Sequence, residues 1–268
     1  MQNINATKFG KISNLSASYG RKQILFDITI PDLKPGELVG IIGPNAAGKS
    51  TLFKSLAGML PIKGEINIAG ADLKKTSTAD WSNIVGMMPQ QYNVQIALSV
   101  FESVLLALKS HGHWRVTDEN LQAVAKTLDV LKISHLAERK IYELSGGQQQ
   151  MVAMARLLVR DLPMILFDEP TSALDLHHQL NSMQTIRQLT QDRNIISLIA
   201  LHDLNLAATF CDRLVLIRQG HIMLDGKPQE VLSHAHIEDV YGVNVRLEKT
   251  ARDTLFVDAF LNQPLGAM

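Results

Sequence analysis

The segment Gly43-Pro44-Asn45-Ala46-Ala47-Gly48-Lys49-Ser50-Thr51 constrains this chain more than any other. It satisfies G-x-x-x-x-G-K-[ST] and lies between a continuous apolar run at 38–42 and a helix-like run at 50–58 that closes on Gly58. That context, buried strand then helix, is the one the motif requires. Successive backbone N–H groups and a helix N-terminus form an anion cradle, and Gly48 lets the backbone approach a phosphate closely. Lys49 brings a point charge to the β- and γ-phosphates of a nucleotide, and the Ser50 hydroxyl is a ligand for Mg²⁺.

A second buried run, Met164-Ile165-Leu166-Phe167, ends in two acids, Asp168 and Glu169. A strand emerging there delivers Asp168 toward the metal, usually through water. Glu169 points differently and is suited to polarise the water that attacks the γ-phosphate.

The rest of the chain frames these two sites. Residues 24–30 read as a half-buried strand, and 64–70 alternate between glycines at both ends. From about 99 to 160 helical spacing dominates: Val100, Val104, Leu105 and Leu108 share one face, as do Leu121, Val124, Ala125 and Leu128. Strand patterns resume at 164–167, 195–201 and 214–217, with a helix over 177–191. The expected fold is α/β: a mainly parallel sheet, an N-terminal antiparallel β part and an inserted helical subdomain. With 46% apolar and 19% charged residues the chain can build a sizeable core. Its 26 Lys and Arg balance 26 Asp and Glu, which argues against nucleic acid held by a broad basic field. A single cysteine, Cys211, suits a reducing compartment. No apolar run reaches the roughly 18–20 residues of a membrane helix, and residues 1–10 lack the apolar stretch of an export signal.

Leu144-Ser145-Gly146-Gly147-Gln148 stands ahead of an apolar helical run. Ser-x-x-Gln is a capping box, yet a cap has no need of two glycines, each of which costs a helix about 1 kcal/mol relative to alanine. Bared N–H groups at such a corner admit a phosphate. The chain thus carries a second phosphate-binding helix start with no lysine of its own.

With the phosphate loop, this corner and Asp168-Glu169 in that order, the sequence resembles the nucleotide-binding subunit of ATP-binding-cassette transporters over roughly residues 12–245. The resemblance implies ATP and Mg²⁺ as ligands, with the metal held by Ser50, Asp168 and Gln90. It also implies a head-to-tail homodimer in which ATP lies between one protomer's phosphate loop and the other's Ser145, Gly146, Gly147 and Gln148. Tyr19 resembles the aromatic that stacks on adenine. Gln90 resembles the glutamine that touches magnesium or lytic water and senses the transmembrane partner, Gln91 offering the neighbouring register. Asp175, in Ser172-Ala173-Leu174-Asp175, resembles the residue that crosses the dimer interface. His202 resembles the switch histidine at the γ-phosphate, and the remaining histidines are read as surface or core residues.

Two departures stand out. Ala46 replaces a frequent glycine, so a left-handed backbone there would cost about 1 kcal/mol. Met151 stands where the corner is often followed by an arginine. One domain is expected over 1–250, with the core at about 1–90 and 161–250, the helical part at about 91–160 and a tail at 251–268. Implied partners are two transmembrane permease subunits and, indirectly, an extracytoplasmic substrate-binding protein, with this chain peripheral on the cytoplasmic membrane face. The run 170–175, the run 201–207 and Ile237-Glu238-Asp239-Val240-Tyr241-Gly242-Val243 are most similar to importers of iron–siderophore, haem or cobalamin cargo. A cassette for another cargo (a metal oxyanion, or an exporter) and a soluble non-transport cassette ATPase stand as alternatives.

Overall fold

The computed structural model describes residues 9–89, 97–108, 115–172, 174–251 and 254–261; the side chains of His234 and Ala235 are not described either. Gln90 and Gln91 therefore lie outside the described residues.

The chain opens with β1 (Gly10–Tyr19), β2 (Lys22–Leu33) and β3 (Leu38–Ile42). Then come α1 (Lys49–Leu56), β4 (Ile62–Ile68), β5 (Ala71–Asp72), α2 (Thr78–Trp81) and β6 (Val85–Met88). Three helices follow: α3 (Val100–Ala107), α4 (Asp118–Val130) and α5 (Gly146–Leu158). The second half continues with β7 (Met164–Asp168), α6 (Leu176–Asp192), β8 (Ile196–Ala200), α7 (Leu204–Phe210), β9 (Arg213–Arg218) and β10 (His221–Gly226). It closes with α8 (Pro228–Val231), α9 (His234–Tyr241), β11 (Asn244–Lys249) and β12 (Leu255–Phe260).

A six-stranded sheet in the order β10-β9-β3-β8-β7-β6 forms the centre, parallel except for the β9–β10 hairpin. Its inner strands β3, β7, β8 and β9 are buried on both faces, which is why their sequences are nearly continuous apolar runs, whereas edge strand β10 is largely exposed. Alternate residues serve opposite cores. Ile41, Leu166, Leu198 and Val215 face the layer containing α1 and the antiparallel sheet β2-β1-β4-β5. Ile42, Phe167, Ile199 and Leu216 face α3, α4 and α5 together with α6 and α7. The one polar residue inside β8, Ser197, is satisfied by the Thr190 hydroxyl at 2.7 Å.

The structure departs from the sequence reading in three local places. Gly64 does not bound a strand but lies within β4 at φ +90°, where a Cβ would sit 2.3 Å from the Asn14 carbonyl. The register shift of β1 against β4 falls opposite it, so this glycine serves a bulge. In α4 the buried face is Val124, Thr127 and Leu128, while Leu121 and Ala125 are exposed. Thr127 is admitted because its hydroxyl donates to the Ala123 carbonyl at 2.8 Å. Finally, residues 255–260 of the segment read as a tail form β12, which pairs with β11 and is pinned to α7 by Asn205 through both polar groups of Val257.

Gly40, at the middle of β3, shows how tightly the central strand is held: a Cβ there would lie 2.6 Å from Leu214 Cδ2 and 2.8 Å from Cys211 Sγ. Gly40→Ala is therefore expected to lower the unfolding free energy by about 1–3 kcal/mol, measured by denaturant titration.

Candidate active site

Because β3, β8 and β7 are neighbours, the segments leaving their carboxyl ends meet in one crevice. These segments are the loop 43–51, His202 two residues beyond β8, and the Asp168–Glu169 pair.

The loop is a strained structure that the fold braces. Gly43 and Gly48 have φ +149° and +111°, and Ala46 takes the left-handed φ of +61° that costs alanine about 1 kcal/mol. A Cβ on Gly43 would lie 2.1 Å from the Ile217 carbonyl, so neighbouring β9 excludes any side chain. From the β9–β10 turn, the Gly220 N–H donates to the Ala47 carbonyl at 2.8 Å, and the Gly220 carbonyl accepts from Phe26 N–H at 2.9 Å. Asn45 and Ala46 are exposed at the rim, Pro44 and Ser50 are half-buried, and Gly43, Ala47, Gly48, Lys49 and Thr51 are buried.

The Lys49 ammonium donates to the carbonyls of Gly43 (2.6 Å) and Pro44 (3.1 Å). Two of its three N–H bonds are thus used in holding it over the loop. Burial pushes its pKa down, and the charges of Glu169 and Asp168 oppose this. The Ser50 hydroxyl donates to Asp168 Oδ1 at 3.2 Å, bringing two hard oxygen donors together across the sheet. Burial holds the Asp168 carboxyl above the usual carboxylate range; the Ser50 bond opposes this and the Glu169 charge adds to it. That oxygen set suits Mg²⁺. Glu169 is buried, and its carboxylate is hydrogen-bonded to Nε2 of the exposed His202.

The remaining predicted residues lie elsewhere on the chain's surface. Tyr19 is exposed at the β1–β2 turn, with its ring accessible. Ser145 caps α5: its hydroxyl accepts from Gln148 N–H, and the Gln148 side chain accepts from Ser145 N–H. The capping box is real, and it leaves the first amides of Gly146 and Gly147 without intrahelical partners. Gly146 is exposed, and a Cβ on it would meet nothing within 4 Å. No packing contact among the described residues explains that glycine. The corner opens into a cleft of about 550 Å³ whose lining includes Met151, Asp175, His178 and Ser182 but no residue of the loop 43–51. Asp175 caps α6, and the His178 backbone amide followed by its ring holds the carboxyl below its usual range. Met151, in the arginine position, receives the Ser182 hydroxyl on its sulfur at 3.5 Å.

A family model described as ABC transporter matches residues 28–172. The chain belongs to the ABC transporter family. It is 36% identical to a hemin import ATP-binding protein of Bordetella avium, over 86% of this chain and 90% of that one. It is 32% identical to a petrobactin import ATP-binding protein of Bacillus anthracis, over 88% of each. Among solved structures it is similar to the dimeric post-hydrolysis state of an ATP-binding cassette bound to ADP and Pi, with TM-score 0.73, 27% identity and coverage of 82% and 98%. The chain is thus the ATP-binding, ATP-hydrolysing subunit of an ABC transporter. Among the described residues no helix is long and apolar enough to cross a membrane.

Sequence reading missed three residues that support the cassette's site. Gly220 was hidden because its contact with the loop arises only when β9 lies beside β3. The Tyr241 hydroxyl is buried without a hydrogen-bond partner among the described residues and lies beside the Gly43 amide; burial pushes its pKa up to about 12. Gln150 reaches the Glu169 backbone. The Gly220 brace is directly testable, since a Cβ there would sit 1.8 Å from the Ile24 carbonyl at φ +78°. Gly220→Ala should lower stability by about 3 kcal/mol and ATP affinity at least about tenfold, read by thermal unfolding and by titration with a fluorescent ATP analogue.

Proposed function

We propose that this cassette powers an importer of iron–siderophore, haem or cobalamin-type cargo, working as a head-to-tail homodimer on two transmembrane permease subunits. The observation that carries the two-protomer reading is the division of labour within one chain. Loop, metal donors and acid–histidine pair converge, whereas the glycine corner opens into a separate cleft. A phosphate-ready corner with no buried cation among the described residues is completed by another protomer's loop. The importer reading is supported by the hemin and petrobactin import relatives. The same reading makes the chain peripheral on the cytoplasmic membrane face and supplied through an extracytoplasmic substrate-binding protein.

In this mechanism Tyr19 stacks on adenine while the loop amides and the remaining Lys49 N–H hold the β- and γ-phosphates. Ser50 and Asp168, joined by Gln90, would hold Mg²⁺, which when bound neutralises charge on the phosphate oxygens. Glu169 takes the proton of the attacking water. His202 orients that carboxylate and approaches the γ-phosphate. The partner's signature corner supplies Ser145 and the Gly146 and Gly147 amides to the same phosphate, and Asp175 lies at the dimer interface. Dimer closure followed by opening after hydrolysis transmits motion to the permease.

Glu169→Gln keeps the fold and the nucleotide contacts but removes the base. It is expected to bind ATP, accumulate as an ATP-bound dimer on size exclusion, and release phosphate at least about a hundredfold more slowly. A steady rate equal to wild type refutes the assignment. Identifying the proteins that co-purify from detergent-solubilised membranes tests the importer reading: a permease of another transport class, or ribosomes, overturns it.

A further inference from the structure

Glu169 carries a backbone conformation its residue type disfavours. Its φ is +53°, in the left-handed region, and such a residue persists only where its surroundings hold it. Three donors converge on its carbonyl: Ser172 N–H at 3.3 Å, the Ser172 hydroxyl at 3.1 Å and Gln150 Nε2 at 3.4 Å. The first two belong to the turn that follows Glu169. The third comes from α5, the helix that begins at the Ser145 corner.

Gln150 is a costly choice for its position. It is only 5% exposed, and its Oε1 has no hydrogen-bond partner among the described residues. Leaving a buried amide oxygen unpaired is destabilising, and an unbranched apolar residue of similar size fills such a space without that penalty. What glutamine adds is one N–H aimed at the Glu169 backbone.

From this we infer that Gln150 is a positioning residue: it fixes the carboxylate of Glu169 through its carbonyl and ties it to the helix whose first turn receives the partner's nucleotide. This rests on the two-protomer reading above. Within one protomer, Glu169 serves the ATP on its own loop, while the Ser145 corner serves the ATP on the partner's loop. Gln150 lies five positions after Ser145, under one and a half turns of helix. A shift of the corner when phosphate arrives is carried by a rigid element to the base of the other site, making the two hydrolysis events cooperative.

Gln150→Met separates this role from packing. The variant homodimer, assembled with its permease, should unfold at the wild-type temperature or above it, because the orphan oxygen is gone. Its KM for ATP should stay within about twofold while kcat falls about tenfold, the effect of a small misplacement of a reacting group. The Hill coefficient for ATP should drop toward one. Unchanged kcat with unchanged cooperativity overturns the inference, as does a rate loss that tracks lowered thermal stability and raised KM. Wild-type protein measured alongside separates the two layers. No hydrolysis by the wild-type assembly overturns the functional reading and this inference with it, whereas normal wild-type turnover matched by Gln150→Met overturns only the role given to Gln150.

Discussion

The whole site depends on the lateral packing of β3 between β8 and β9, with β7 one strand further out. Each strand leaves one functional segment at its carboxyl end, and the inter-strand spacing of just under 5 Å sets how far apart those segments emerge. That spacing lets Ser50, on α1 after β3, reach Asp168 at the end of β7, and lets His202 beyond β8 reach Glu169. It also presses β9 against the phosphate loop so closely that Gly43 admits no side chain. A sheet buried on both faces fixes these positions rigidly, because any shift of a strand would disturb two cores at once.

Electrostatics then distribute the work. Among the described residues the crevice holds one buried cation, Lys49, and two buried carboxylates, Asp168 and Glu169. Burial alone disfavours the charges of Lys49 and Asp168, and both are kept useful by their neighbours: the carboxylates raise the lysine's affinity for its proton, and Ser50 stabilises the charged form of Asp168. Among the described residues the glycine corner at Ser145 has no such buried cation, the exposed Lys132 lying on the rim of the same cleft. Its attraction for phosphate comes chiefly from exposed amides and the dipole of α5, so in this account it acts as a supplementary clamp on a nucleotide anchored elsewhere.

What the sequence revealed and what it hid divide along a physical line. The loop 43–51, the capping box at Ser145 and the paired acids after β7 are local patterns, each dictated by the backbone geometry of a few consecutive residues, and they were readable. The α/β architecture followed from apolar runs too continuous to belong to half-exposed strands. Ala46 was readable as a strain site, and it adopts the left-handed conformation. The bulge at Gly64 and the burial of Thr127 in place of Leu121 were not readable, because each depends on a partner far away in sequence or on a side chain satisfying itself against its own helix. The Gly220 brace, the Tyr241 hydroxyl beneath the loop and the Gln150 link to Glu169 belong to this second kind. They are tertiary contacts that no spacing announces.

The central claim is that a complete site needs two chains, with the Ser145 corner of one facing the phosphate loop of the other. Site-directed cross-linking tests it most directly. Protomers carrying Ser145→Cys are mixed with differently tagged protomers carrying Asn45→Cys, both positions being exposed in the single chain, and treated with a short bis-maleimide. The account predicts a cross-linked heterodimer that forms with a non-hydrolysable ATP analogue and is nearly absent without nucleotide. Equal cross-linking with and without the analogue, or none in either case, would contradict it.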